Sequence, residues 1–320
     1  MQNYHDLLER VLEYGAHQFN TRTGKTCLVR VGEQLTYDLQ DGFPAITTKK
    51  LAFKGVLGEL LGFFRGYQNA ADFRDLGCNV WNQNANETQA WLDNPLRKGT
   101  DDLGRIYGAQ WASWDSLRAI HCKDQAARNH LLKLGYTYFG EAVQGPLVVY
   151  RKSINQLEEA LRKLLTNPSD RRIIVSAWNP GELDAMALPP CHIDYRFVAF
   201  ENPRVLHLVM TIRSWDLFLG APFNIASTSI FLAVMARLAG FQPGTVTMQA
   251  ANAHIYEDHF DQVNELLKRK HMRPPTLVLS DAIQPVTVAQ IPGVFSRIEP
   301  EHIYLNGYVS HSSLPAPMSA

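Results

Sequence analysis

Met186-Ala187-Leu188-Pro189-Pro190-Cys191-His192 is the stretch on which the reading of this chain turns. Apolar residues lead into it, and the run from Ile193 to Phe200 alternates as a strand does. Two adjacent prolines fix their own φ angles and bias the residue before each away from helix. Cys191 is therefore expected at a strand start, held in one place. A fixed, accessible thiol is what nucleophilic catalysis needs, if its surroundings favour the thiolate. The same seven residues also suit a small buried hydrophobe in a turn, and alone they do not choose.

Working outward toward the C-terminus, Val205–Ile212 reads as a second strand and runs into Arg213-Ser214-Trp215-Asp216. Gly220-Ala221-Pro222-Phe223-Asn224 then opens a long apolar helix, Ile225 to Leu238, expected to be the central buried helix. Val246–Ala250 is strand-like. His254-Ile255-Tyr256 is read as the start of a helix running to about Lys268, and the remainder as short strands and Pro-rich loops.

Toward the N-terminus, Arg171 and Arg172 open a β-branched strand, Ile173 to Trp178, behind a helix at Leu157–Leu165 that Asn167-Pro168 ends. A paired arginine at an apolar strand is either an ordinary charged strand end or a phosphate clamp. Ser116–Val149 reads as an insertion with its own helix and hairpin. Leu51–Phe64 is apolar with helical period and contains Glu59, a carboxylate that is costly there unless paired or functional. Gly62, inside the same helix, implies close packing. Tyr4–Tyr14 forms an amphipathic helix ending near Gly15. Asn20–Thr26 is a polar turn around Arg22, a solvated loop or an anion site. Cys27–Leu39 alternates like a hairpin that Asp41–Pro44 closes.

The 320 residues suffice for one large domain or two ordinary ones, and 46% hydrophobic against 19% charged residues allows a sizeable core. Lys+Arg and Asp+Glu balance at 31 each, which argues against a general polyelectrolyte surface but not against a local cationic pocket. Cys27, Cys78, Cys122 and Cys191 are scattered without metal spacing, as in a reduced, cytoplasmic protein. The N-terminus has no apolar signal core, and no run approaches a membrane span.

Several arginines with a serine suit a phosphate monoester, because a dianion rewards several charge-assisted donors. An asparagine carries a donor and an acceptor and can read an amide edge such as uracil N3–H and O4. A thiolate beside arginines is easier to form, and a soft nucleophile adding to an electron-poor double bond makes the neighbouring carbon nucleophilic.

The chain resembles the thymidylate synthase family nearly end to end. The resemblance is carried by Asp170-Arg171-Arg172-Ile173-Ile174-Val175-Ser176-Ala177-Trp178-Asn179-Pro180, by Ala187–His192, by Arg213-Ser214-x-Asp216-x-Phe218-Leu219-Gly220-x-Pro222-Phe223-Asn224-Ile225-Ala226-Ser227, and by His254-Ile255-Tyr256. Asp41-Gly42-Phe43-Pro44-x-x-Thr47-Thr48-Lys49-Lys50 and Asp102-Leu103-Gly104-x-x-Tyr107-Gly108-x-Gln110-Trp111 are similar to family motifs in family order. The insertion, and Gly62 where a tryptophan is usual, resemble a longer bacterial branch.

The resemblance implies an α+β fold, a large mixed β-sheet packed by helices, with a sheet face forming a homodimer interface. It implies a single domain over 1–320 with the insertion at about 116–149. Cys191 would add to C6 of dUMP. Arg22, Arg213 and Ser214 would hold its phosphate, with Arg171 and Arg172 supplied by the other subunit. Asn224 would read the uracil edge, His254 and Tyr256 would hold the 3′-hydroxyl, and His192 would line the substrate site. Glu59 would move protons around O4 and C5, and Tyr107 would line the nucleophile's pocket. Methylenetetrahydrofolate, the co-substrate, would stack near Trp81, Phe223 and Asp216, with Lys49 near its glutamate tail and Ala320 in the closing segment. No metal, membrane or specific nucleic acid is implied.

This sequence departs from the family pattern at Ala251-Asn252, where Gly-Asp is usual, and at Trp215, Asp194, Arg196, Ile212 and Ala320. These positions bear on the last chemical step. Reductive methylation is the first expectation, and the alternative is a deoxyuridylate hydroxymethylase that adds water to the same intermediate. A nucleotide- or RNA-binding homologue without catalysis is a third reading, against which Cys191, Glu59 and Asn224 stand.

Overall fold

The computed structural model describes residues 1–318. Ala320 lies outside the described residues. The strands are β1 (Ala16–Asn20), β2 (Lys25–Asp38), β3 (Trp114–His121), β4 (Thr137–Glu141), β5 (Leu147–Ile154), β6 (Ile174–Ser176), β7 (His192–Glu201), β8 (Arg204–Ile212), β9 (Trp215–Asp216), β10 (Gln242–Tyr256), β11 (Thr276–Leu279) and β12 (Ile303–Asn306). The main sheet is seven-stranded and runs β1-β2-β10-β8-β7-β6, with β9 paired to β10. It is mixed: β10 is antiparallel to β2 and parallel to β8. Helices pack on it, as the α+β expectation requires.

Register decides what meets what. His192 stands opposite Ile212, Ile212 is the partner of Ala250, and Tyr256 faces Cys27. The start of β7, the exit of β8, the end of β10 and the turn before β2 therefore gather at one end of the sheet. That end carries Cys191, Arg213, His254, Tyr256 and Arg22.

The helix Gly220–Ala239 is the largest single contributor to the core. Ile225, Ile230, Phe231, Leu232, Val234 and Met235 are all 0% exposed, and each such side chain contributes about 1.5–3 kcal/mol of transfer free energy. Its length and composition would let it cross a membrane, but 83% of that window is buried in the protein, so it is a core helix. The expectation that no run approaches a membrane span is corrected to that extent. Gly240 ends it in the left-handed conformation, φ 72°, as a residue without Cβ can.

The helix Phe53–Phe64 sits close to the helix Tyr107–Ala112. A Cβ on Gly108 would fall 2.7 Å from the Phe63 Cα, and one on Gly62 would fall 2.3 Å from the Phe73 ring. Close approach stacks Phe63 on Tyr107, with centroids 5.0 Å apart and planes at 18°. The Phe53–Phe64 helix carries Glu59 and the Tyr107–Ala112 helix carries Tyr107.

β3, β5 and β4 form a separate three-stranded sheet, with the helix Gln125–Lys133 joining β3 to β4. Its core is a small cluster of Leu131, Tyr136, Val148 and Tyr150, distinct from the main core.

Two local expectations are corrected. Cys27–Leu39 is not a hairpin: up to Asp38 it lies on one long strand, β2, which pairs with β10 from Asp38 to Cys27, and Leu39 begins a 3-10 turn. The hairpin is β1–β2, closed by the polar turn at 21–24. The pairing bridges Gly32, whose φ of 72° marks a local irregularity rather than a reversal. His254-Ile255-Tyr256 does not begin a helix; it ends β10, with Ala253 and His254 paired to Trp215 and Asp216. The helix begins at Phe260, after a short 3-10 turn at Glu257–His259.

Candidate active site

The thiol turn is held from both sides. The Cys191 backbone N–H donates to the Tyr107 hydroxyl at 2.5 Å. The Arg213 backbone N–H donates to the Cys191 carbonyl at 2.9 Å. The Arg213 guanidinium donates to the carbonyls of Pro189 and Pro190, 2.9 Å each, and one of its nitrogens lies 3.9 Å from the Cys191 Sγ. A proline-fixed turn clamped this way has little freedom. Cys191 is half-buried, and all four cysteines are free thiols. Of the others, Cys27 and Cys78 are buried, and burial pushes the Cys78 thiol up to about 12.

Glu59 is linked to this turn through Trp81, whose ring is edge-on to Tyr107. It is 8% exposed, and the Trp81 Nε1–H donates to its Oε1 at 3.1 Å. Burial raises its carboxyl to about 8, and that one bond only partly offsets the rise. Near neutrality its carboxyl is therefore held largely protonated. Tyr107 is edge-on to Trp81, 5.8 Å between centroids, and edge-on to His192 at 5.6 Å. Burial holds the Tyr107 hydroxyl neutral, well above the usual phenol range. The His192 Nδ1 bonds the Tyr195 hydroxyl at 3.0 Å, and burial lowers its ring to about 4, so it is uncharged.

Asn224 lies in the second turn of the buried helix, and its Oδ1 accepts from the Trp215 Nε1–H at 3.2 Å. The Asp216 Oδ1 accepts from the backbone N–H groups of Phe218 and Leu219, at 2.9 and 3.1 Å, and so fixes the entry to that helix. Phe223 packs against Gly55, where a Cβ would lie 3.6 Å from the ring. Lys49 is 7% exposed; its Nζ donates to the Phe218 carbonyl at 2.6 Å and stands 3.7 Å from the Phe218 ring centroid. Burial lowers it to about 8.

His254 and Tyr256 close the end of β10, rings edge-on at 5.0 Å, with the His254 Nδ1 2.9 Å from the Asn252 Oδ1. Burial lowers the His254 ring and raises the Tyr256 hydroxyl to about 12. Arg22 is exposed on the 21–24 turn, and its backbone N–H is tied to the Asn20 Oδ1 at 3.0 Å. It borders a cleft of about 600 Å³ that also touches Asn84, Trp91, Met186, Pro189 and Met318. Ser214 follows Arg213 in the bend before β9.

Arg171 and Arg172 are exposed and stand apart. Ser176 faces Asp194 and Ile174 faces Arg196, so the chain leads away from His192 toward the pair. Ile174, opposite Arg196, is four β7 residues, roughly 13 Å at about 3.3 Å each, from His192, and Arg171 and Arg172 lie beyond it in a turn. Arg172 is engaged with Asp170, its Nε 2.9 Å from Oδ1. One chain therefore does not bring these two arginines to the thiol.

Three contacts at the site are not legible in local sequence. Trp215 bonds Asn224, as above. Trp178 lies under the Arg213 guanidinium, 5.6 Å from its centroid. His259, fully buried, has its Nε2 2.8 Å from the Pro317 carbonyl, which ties the C-terminal segment to the end of β10. Each joins residues far apart or on differently read elements, so no spacing announces it.

Comparison with known proteins agrees along the whole chain. The family model described as thymidylate synthase matches residues 2–320. A protein of Pseudomonas syringae pv. tomato named thymidylate synthase is 42% identical over 323 residues, covering 100% of both chains. Another so named, from Bordetella parapertussis, is 42% identical over 323 residues with the same coverage. One from Shewanella pealeana is 36% identical over 321 residues, again across 100% of each.

Proposed function

The chain belongs to the thymidylate synthase family, and on that premise we propose that it converts dUMP to dTMP with 5,10-methylenetetrahydrofolate through a Cys191 adduct at C6. The observation that carries this reading is a clamped, half-buried thiol beside Arg213, joined through Tyr107 and Trp81 to a buried carboxyl raised to about 8.

In this reading Cys191 attacks C6 of the pyrimidine, and the electron pair moves toward C5 and O4. Glu59, neutral below about pH 8, supplies a proton toward O4 and later helps remove the one on C5. Asn224 pairs with N3–H and O4. Arg22, Arg213 and Ser214 meet the phosphate, and His254 and Tyr256 meet the sugar hydroxyl. Uncharged His192 and Tyr107 line the pocket without adding charge. The co-substrate supplies the one-carbon unit and then the hydride, seated near Trp81, Phe223 and Asp216. Lys49 could reach its glutamate tail only by leaving the Phe218 carbonyl. No step calls on a metal, and no group of metal-binding side chains is present among the described residues.

The functional unit is a homodimer in which Arg171 and Arg172 cross to the other chain's phosphate site. Their place in an exposed turn beyond β6, leading away from the start of β7, supports that sharing. Residues 1–320 act as one catalytic unit bearing the insertion, in the cytoplasm. Hydroxymethylation is the less favoured outcome, since the relatives cited all bear the thymidylate synthase name. The test is product analysis with dUMP and methylenetetrahydrofolate. One dihydrofolate per dUMP and a product of thymidylate mass is expected; a product heavier by one oxygen, with no dihydrofolate, overturns it.

A further inference from the structure

We propose that Trp215 is a specificity-determining positioning residue, whose indole N–H locks the Asn224 amide in the one orientation that pairs with uracil. The inference rests on the reading that Asn224 meets the base.

An asparagine amide is ambidextrous. Rotation of the terminal amide by half a turn exchanges its carbonyl oxygen and its NH₂, at nearly no cost in shape. Unrestrained, it can present acceptor and donor to uracil, or the reverse to cytosine. Something else must choose.

The His192 ring also meets the Asn224 side chain, but a neutral imidazole offers a donor or an acceptor according to its tautomer and so does not choose; Trp215 makes that choice in this chain. It is 1% exposed, and its Nε1–H donates to the Asn224 Oδ1 at 3.2 Å. An indole nitrogen is a donor only. A flipped amide would set NH₂ against N–H and leave a buried donor without a partner, which is costly. Neither end of the contact is free to drift. Trp215 is pinned in β9 by pairing with Ala253, and the entry of the helix bearing Asn224 is pinned by Asp216. Gly220 lies on the same side, where a Cβ would stand 3.5 Å from Oδ1.

The locked oxygen keeps a second lone pair. It can accept from uracil N3–H while the NH₂ donates to O4. Cytosine, with N3 as acceptor and an amino group at C4, meets the wrong face of the amide. Trp215 thus discriminates without touching the base.

The decisive experiment replaces the indole N–H with sulfur, keeping the ring shape, by incorporating benzothienylalanine at position 215; Trp215→Phe is the encoded companion. Affinities for dUMP and dCMP are measured without folate, with kcat and KM for dUMP alongside. The dUMP-over-dCMP preference should fall on the order of tenfold, with KM moving more than kcat and with the sulfur variant's melting temperature unchanged. An unchanged preference in the sulfur variant overturns the lock. Asn224→Asp separates the two layers. If it shifts preference while the sulfur variant does not, only the lock fails. If neither shifts it, Asn224 does not read the base and both readings fall.

Discussion

The wall around Glu59 and the small sheet of β3, β4 and β5 are built from similar material to opposite ends. Both are aromatic-rich. At the wall, Phe63, Tyr107, Trp81 and Trp111 interlock, Phe63 lying 5.0 to 6.0 Å from each of the other rings, and they enclose a carboxyl that burial raises to about 8. In the small sheet, Tyr136, Tyr150, Leu131 and Val148 enclose no charge, and Tyr138 and Phe139 stay exposed. Dense aromatic packing in the first case maintains an unfavourable group in a useful state. In the second it only holds three strands together. The cost of keeping Glu59 dry is what the proposed function calls on.

The sharpest break of this contrast is at the thiol itself. Cys191→Ala should lower turnover by on the order of 10³-fold or more, leaving dUMP binding largely intact because the phosphate and base contacts remain. Near-normal turnover would remove Cys191 from the mechanism. Equivalent changes at Cys27, Cys78 and Cys122 should do little.

The next largest effect asks whether the wall is complete within one chain. Arg22→Ala and Arg171→Ala should each inactivate a homodimer. Mixing them should restore about a quarter of wild-type activity, since half the dimers are hybrids with one whole site. No recovery, with hybrid dimers shown to form, would mean that the arginine pair is not shared.

A third measurement tests the claim that Glu59 is held at a cost. Its carboxyl lies at about 8 in the fold against an ordinary 4.5, so the folded state binds the proton more tightly than the unfolded one. Stability is then lost as pH rises from about 4.5 toward 8, and nothing further is lost above that. Glu59→Gln removes the titration. It should match wild type below pH 4.5 and exceed it by on the order of 5 kcal/mol above pH 8, with turnover collapsed throughout. A stability difference independent of pH would show that Glu59 titrates normally.

How much of this was visible in the chain follows from what each residue depends on. The Cys191 strand start, the strand read at Val205–Ile212, the buried helix and the helix around Glu59 were legible because local pattern and tertiary role agree there. The β10 terminus was not. Its last residues, Ala253 to Tyr256, are all buried because β9 and the turn before β2 cover them, so the alternation that marks a strand disappears. The Cys27–Leu39 alternation was real, but it runs along one strand that β10 pairs straight across, past the positive φ of Gly32. At the site, residue types were legible and convergence was not. Trp215 stood out in the sequence only as a departure from the family pattern, and the fold shows that its indole N–H bonds Asn224.

The smallest effect on activity is expected from the small sheet, and it tests the other half of the contrast. Tyr150 is 1% exposed, and its hydroxyl accepts from the Arg128 Nε–H at 2.7 Å. Tyr150→Ala should cost the sheet on the order of 3 kcal/mol locally and speed amide exchange across residues 114–154. The pocket should not register the loss. The sheet meets the main body at the Ser113–Ser153 hydroxyl contact, 2.9 Å, and near Arg105, which donates to the Ser113 carbonyl at 2.7 Å. Arg105 is itself anchored to Glu182 at 2.6 Å, and Glu182 also accepts from Gln110 at 2.7 Å. That charged anchor belongs to the main body and stays when the sheet loosens, so Tyr107 keeps its place. Expected values of kcat and KM therefore stay within about twofold of wild type, as for a separately opening unit. A tenfold fall in kcat/KM, with exchange protection at Tyr107 lost as well, would show that the sheet braces the wall and that the two regions are one cooperative structure.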